Sequence, residues 1–113
     1  MLIEQSPVDG NYIFVADAGG NRHFMTTNAY SASPTWTELV KPYAHKISWI
    51  EPHPTDKDIV YFAIVDVIYR YKISTQTWTN LTGNLPWVAK LCIVYQKNSN
   101  DGLYVGTATG IFY

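Results

Sequence analysis

The stretch Ile47–Pro86, ISWIEPHPTDKDIVYFAIVDVIYRYKISTQTWTNLTGNLP, constrains the chain most, because it holds four strand-like runs in fixed order. The runs are Ile47–Glu51, Ile59–Val65, Val67–Ile73 and Trp78–Leu81. Each is rich in Ile, Val, Tyr, Phe or Trp, whose branched or flat side chains suit a pleated, half-buried surface. Breaker clusters separate them: Pro52-His53-Pro54-Thr55-Asp56, Ser74-Thr75-Gln76 and Thr82-Gly83-Asn84-Leu85-Pro86. Proline presets φ and removes a donor, and Asp, Asn and Ser bond nearby turn amides, so strands end there. Connections this short make consecutive strands antiparallel neighbours.

The rest of the chain repeats this unit. Before it come Leu2–Gln5, a turn at Ser6–Asn11, Tyr12–Asp17, a turn at Gly19-Gly20-Asn21, Arg22–Thr27, a polar loop, and Trp36–Val40, closing at Lys41-Pro42. After it come Leu91–Gln96, a turn at Lys97–Gly102, Leu103–Thr107 and Ile111–Tyr113. Asp9-Gly10 and Asp101-Gly102 supply the left-handed positions of tight hairpins. Trp36-Thr37-Glu38-Leu39 matches Trp78-Thr79-Asn80-Leu81 at an offset of 42 residues. Phe14-Val15-Ala16, Tyr61-Phe62-Ala63 and Tyr104-Val105-Gly106 match at offsets of 47 and 43. A period of about 40–50 residues with several strands each is the signature of β-propeller blades. No segment carries a helical apolar period, so an all-β chain is expected. It reads as one propeller segment, with four-stranded antiparallel meanders at about 2–42 and 46–86 and a three-stranded partial blade at about 90–113. Such a propeller is incomplete within this chain.

Composition narrows the function classes. Eight basic and nine acidic residues give a net charge of −1, with no basic run. That leaves no electrostatic footprint for nucleic acid or an anionic membrane. No run approaches the 18 or so apolar residues of a membrane span. Met1-Leu2-Ile3 runs directly into Glu4, so no signal peptide is read. The single cysteine, Cys92, lies in the apolar run Leu91–Val94, which points to a small core residue rather than a disulfide or thiolate metal site.

At Trp36 and Trp78 the sequence resembles the Asp-box, or bacterial neuraminidase repeat, β-propellers, which include sortilin-like and sialidase-like propellers of secreted bacterial proteins. The resemblance rests on Trp78–Pro86 (WTNLTGNLP), Ile93–Tyr95, Leu103–Thr107 (LYVGT) and Gly110–Tyr113 (GIFY). The family's hairpin reads Ser/Thr-x-Asp-x-Gly-x-x-Trp; there the Asp satisfies turn amides and the Trp packs into the blade. In this chain the first hairpin carries Asn28 where Asp would sit, with an insertion, and the second lacks both Asp and Gly. The resemblance therefore implies a folding device and no catalytic residue. Trp36, Trp78, Tyr61, Tyr104 and Gly106 are the repeat's structural positions.

Chemistry is sparse. A sialidase-type site needs clustered arginines, a nucleophile pair and an acid. Here Arg22 and Arg70 sit in third-strand runs of different units, where solvent-facing positions are expected. Asp56 and Asp58 lie in a loop where Asp bonds turn amides. His23, His45 and His53 lack metal-ligand spacing, and His53, between two prolines, reads as a surface loop residue. Glu4 and Glu51 are the acids of the innermost strands. Trp49, Trp87 and Tyr43 are possible ligand contacts through ring stacking, with Tyr30 and Tyr95 behind them, although burial is the commoner fate of blade aromatics.

These readings give a non-catalytic propeller scaffold or binding module of a secreted or cell-surface protein, contacting protein or glycan. It needs no cofactor or metal. Its partners would be the remaining blades of a longer chain or copies of itself. Neither two nor three copies supply a strand number divisible by four, which favours an excerpt. The alternative is part of a sialidase-like or other glycoside hydrolase propeller whose catalytic residues lie outside this segment.

Overall fold

A computed structural model describes residues 2–16, 22–39, 47–64, 67–81, 90–95, 103–107 and 110–112. Eleven strands and no helix are found among them. The first sheet is β1 (Leu2–Gln5), β2 (Ile13–Ala16), β3 (His23–Thr26) and β4 (Thr37–Glu38). The second is β5 (Ile47–Pro52), β6 (Ile59–Ile64), β7 (Val67–Lys72) and β8 (Thr77–Asn80). The third is β9 (Lys90–Tyr95), β10 (Leu103–Thr107) and β11 (Gly110–Phe112). Every pairing is antiparallel between strands adjacent in sequence, so all three sheets are meanders. The strand positions follow the apolar runs, with ends shifted by at most two residues. The largest shift is β4, two residues long where Trp36–Val40 was expected.

The first strands sit side by side: β5 packs against β1 on one side and β9 on the other. This brings the sheets face to face and creates two apolar layers. Phe14, Ala16 and Met25 of the first sheet meet Ile50, Val60, Phe62, Ile64 and Tyr71 of the second. On the opposite face of the second sheet, Tyr61, Ala63 and Ile68 meet Ile93 and Leu103 of the third. Burying each such large side chain contributes roughly 1.5–3 kcal/mol. β6 is covered on both faces, so its sequence, IVYFAI, is a continuous apolar run rather than an alternating one. β1 alternates between part-buried and exposed residues, as a strand covered on one face does. A bulge between Ile47 and Trp49 adds Ser48 to β5, bending the innermost strand where it meets its neighbours.

The loops joining first and second strands share one structure at an offset of 47 residues. Ser6 donates its N–H to the Tyr12 carbonyl and Tyr12 donates to Asp9 O; His53 donates to Ile59 O and Ile59 to Asp56 O. The Asp9 carboxylate accepts the Asn11 amide at 3.0 Å, and Asp56 accepts that of Asp58 at 3.0 Å. Ser6 Oγ accepts the amides of Val8 and Asp9; His53 Nδ1 does the same for Thr55 and Asp56 at 3.1 and 3.0 Å. His53 is thus buried rather than a surface loop residue. Its ring replaces a serine hydroxyl as turn acceptor and stacks on Tyr61, centroids 6.1 Å apart.

Candidate functional site

The same loops clasp the outer hairpins. Asn11 accepts the Ala29 amide through its carbonyl and the Tyr30 amide through Oδ1 at 2.9 Å. Asp58 accepts the Ile73 amide through its carbonyl, then the Ser74 amide at 2.8 Å and the Ser74 hydroxyl at 2.6 Å through its carboxylate. One residue per loop, through its backbone carbonyl and its side chain, therefore satisfies two successive amides of the hairpin between third and fourth strands. In the first hairpin Asn28 Oδ1 also accepts the Thr35 amide at 3.0 Å and the Thr26 hydroxyl at 2.7 Å. Asn28 thus bonds a turn amide without a carboxylate. In the second hairpin, which lacks both Asp and Gly, Asp58 reaches in from the neighbouring loop. Its reach to Ser74 was invisible in sequence, where the two residues are sixteen apart. The matching Asn11 and Asp58, two residues beyond an Asp in each loop, were the available signal.

Gln76 closes the second hairpin with φ of 53°, the left-handed region. Its amide donates to the Ile73 carbonyl at 3.3 Å, a four-residue turn whose last residue is left-handed, the position glycine usually takes. Gly10 has a steric reason instead: the Tyr30 hydroxyl lies where a Cβ would stand. Tyr30, considered a stacking candidate, is exposed and laid across this turn, with Gln5 Nε2 donating to its hydroxyl at 3.5 Å and to Gly10 O at 2.9 Å.

The expected structural positions divide. Tyr61 is buried between the second and third sheets. Trp78 packs on Tyr71, Phe62 and Tyr69 with centroids 4.5, 5.4 and 5.9 Å apart, and His23 meets it edge-on at 6.2 Å. Trp36 does not pack as its repeat partner does; it is 49% exposed. Extending the pairing Met25↔Thr37 by one residue sets Trp36 opposite Thr26, the counterpart of Trp78 opposite Tyr71. That face of the second sheet meets the first sheet. On the first sheet, no sheet among the described residues covers it. Tyr104 is likewise exposed, and Gly106 lies two residues further along the same strand.

Of the ligand-contact candidates, Tyr43 and Trp87 lie outside the described residues, as do His45 and the side chains of Tyr95 and Cys92. Trp49 is described. It is part-buried on β5, packs against the second apolar layer, and donates its indole N–H to Glu51 Oε1 at 3.1 Å. Burial raises the Glu51 carboxyl above the ordinary carboxylate range, the indole N–H opposes that rise, and the charge of Glu4 adds to it. The two acids occupy matching places, opposite Phe14 on β2 and Tyr61 on β6. Trp49 and Glu51 are therefore in contact on the innermost strand of the second sheet, and Glu4 holds the matching place on that of the first.

The described basic side chains are dispersed. Arg22 is exposed and pairs with Glu38 at 2.9 Å, which holds that carboxyl below its usual range. Arg70 lines a shallow depression on the second sheet with Lys72, Thr77 and Thr79. No three His, Cys, Asp or Glu side chains among the described residues converge as metal ligands, and no described helix is long and apolar enough to cross a membrane. No protein-family model and no curated protein matches the chain.

Proposed function

We propose that the chain is a run of β-propeller blades from a secreted or cell-surface protein, and that it is a non-catalytic scaffold that binds glycan at its innermost strands. The carrying observation is Trp49 with its indole N–H tied to Glu51. An indole face packs on the C–H face of a pyranose, and a carboxylate accepts sugar hydroxyls. The two in contact on one strand make a small amphipathic platform held rigid by the sheet. Elsewhere the polar side chains do structural work: Asp9, Asn11, Asp56, Asp58 and His53 are engaged in turns and clasps. The test is titration of the protein with a panel of neutral and sialylated oligosaccharides, following indole NMR signals. Saturable shifts of the Trp49 signal, abolished by Trp49→Ala with the fold intact, are expected. Shifts that survive this substitution would place binding elsewhere.

A second reading, a piece of a glycan hydrolase propeller, has its own observation. A carboxyl raised by burial beside a second acid is the environment of a general acid. Turnover of nitrophenyl glycosides, lost in Glu51→Gln, would favour it. Binding without turnover favours the scaffold.

A further inference from the structure

Two side chains that weaken the fold line the same crevice. It has a volume of about 140 Å³ and lies where β3 and β4 of the first sheet face β7 and the following hairpin of the second. Tyr71 is one of the two. It is only 5% exposed, its ring is held on Trp78 at 4.5 Å, and its hydroxyl makes no hydrogen bond to a described residue. Burial raises this phenol above the ordinary tyrosine range, with no hydrogen bond opposing the rise. A buried hydroxyl without a partner loses its hydration for nothing in return, so phenylalanine would serve the core better. Gln76 is the other. Its backbone, with φ of 53°, is one that glycine adopts freely, and its side-chain amide bonds no described residue. A strained residue kept in the wall of a crevice points to a role for its side chain there.

The rest of the lining selects the occupant. Thr35 and Thr37 add hydroxyls from the first sheet's outer hairpin, Met25 and Ile73 add apolar surface, and no charged residue lines the crevice. A cavity of about 150 Å³ accommodates a six-membered carbon ring. An uncharged ring bearing hydroxyls answers both kinds of wall, its C–H groups against Met25 and Ile73 and its hydroxyls against Tyr71, Gln76 and the threonines. We propose that this crevice binds one neutral pyranose unit, with the Tyr71 hydroxyl and the Gln76 amide as its hydrogen-bonding partners. The site is separate from Trp49, which packs at the junction of the second and third sheets, and it stands or falls without it.

The test is titration of the intact chain with methyl pyranosides of glucose, galactose, mannose and N-acetylglucosamine into the millimolar range, following backbone amide signals by NMR. Saturable shifts of the Thr37 and Gln76 amides are expected with at least one of these sugars. Tyr71→Phe keeps the ring on Trp78 and should weaken binding roughly two- to tenfold, the contribution of one hydrogen bond, while leaving the sugar-free protein at least as stable. Gln76→Gly should likewise bind more weakly while gaining stability. Trp49→Ala should leave these shifts in place. Tighter binding of a matching trisaccharide assigns the occupant to a chain end and weaker binding to a free sugar, and both uphold the crevice. Absence of saturable shifts at Thr37 and Gln76 in the unaltered chain overturns the proposal, as does an affinity unchanged in both variants. Shifts confined to Trp49 also overturn it, while leaving the innermost-strand reading standing. Should Tyr71→Phe lose its β circular dichroism spectrum, Thr37→Val, at an exposed strand position, carries the same test.

Discussion

Trp36 and Trp78 head the same four-residue motif, yet the structure assigns them different energetic roles, and a paired alanine substitution measures the difference. Trp78 meets three aromatic rings of β6 and β7 and one from the first sheet. A large aromatic buries about 150–250 Å² when enclosed, and area burial contributes about 25 cal/mol per Å². For a part-buried indole that gives roughly 2–4 kcal/mol, with ring–ring contacts offsetting the incomplete burial. Trp36 is half exposed and meets no such layer among the described residues, so its truncation should cost under about 1 kcal/mol. The assay is urea unfolding followed by far-UV circular dichroism, since fluorescence would be altered by the substitutions themselves. Protein is kept dilute so that association does not contribute. Equal midpoint shifts for the two variants, or a larger shift for Trp36→Ala, would refute the reasoning. That result would mean that position in the repeat, rather than the neighbouring sheet, sets the contribution of the ring.

Further expectations test the clasps and the inner strand. Asp58→Ala should destabilise by about 1–2 kcal/mol through two unanswered Ser74 donors, while Asp58→Asn, imitating Asn11, should cost less than half as much by thermal unfolding. Gln76→Gly should raise stability by about 0.5–1 kcal/mol by removing the Cβ from a left-handed position, and a loss of stability would show the side chain to be needed there. Burial raises the folded-state pKa of Glu51, so its charge opposes folding. The stability associated with the neutral acid is fully present below the unfolded-state pKa and is lost as pH rises through the raised folded-state value. Glu51→Gln should therefore stabilise the protein at neutral pH and leave it unchanged in acid; a gain of equal size at both would assign the effect to packing.

Strand positions and order could be read from the sequence because they depend on local quantities. β-Branched and aromatic runs extend the backbone, Pro, Gly and Asp clusters end it, and a short link forces the next strand to lie alongside. The recurrence of Phe14-Val15-Ala16 in Tyr61-Phe62-Ala63 even marked the residues that face forward in each sheet. Sequence alone could not assign their surroundings. His53 between two prolines carried no sign that its ring would be a buried turn acceptor, and Asp58 gave no indication that it would hold a hairpin sixteen residues away. Identical isoleucines at positions 3, 50 and 93 differ only in what stands against them. Burial is a property of pairs of surfaces, so the repeat determined which side chains point outward from each sheet, and the stacking of the sheets decided which of them meet a partner.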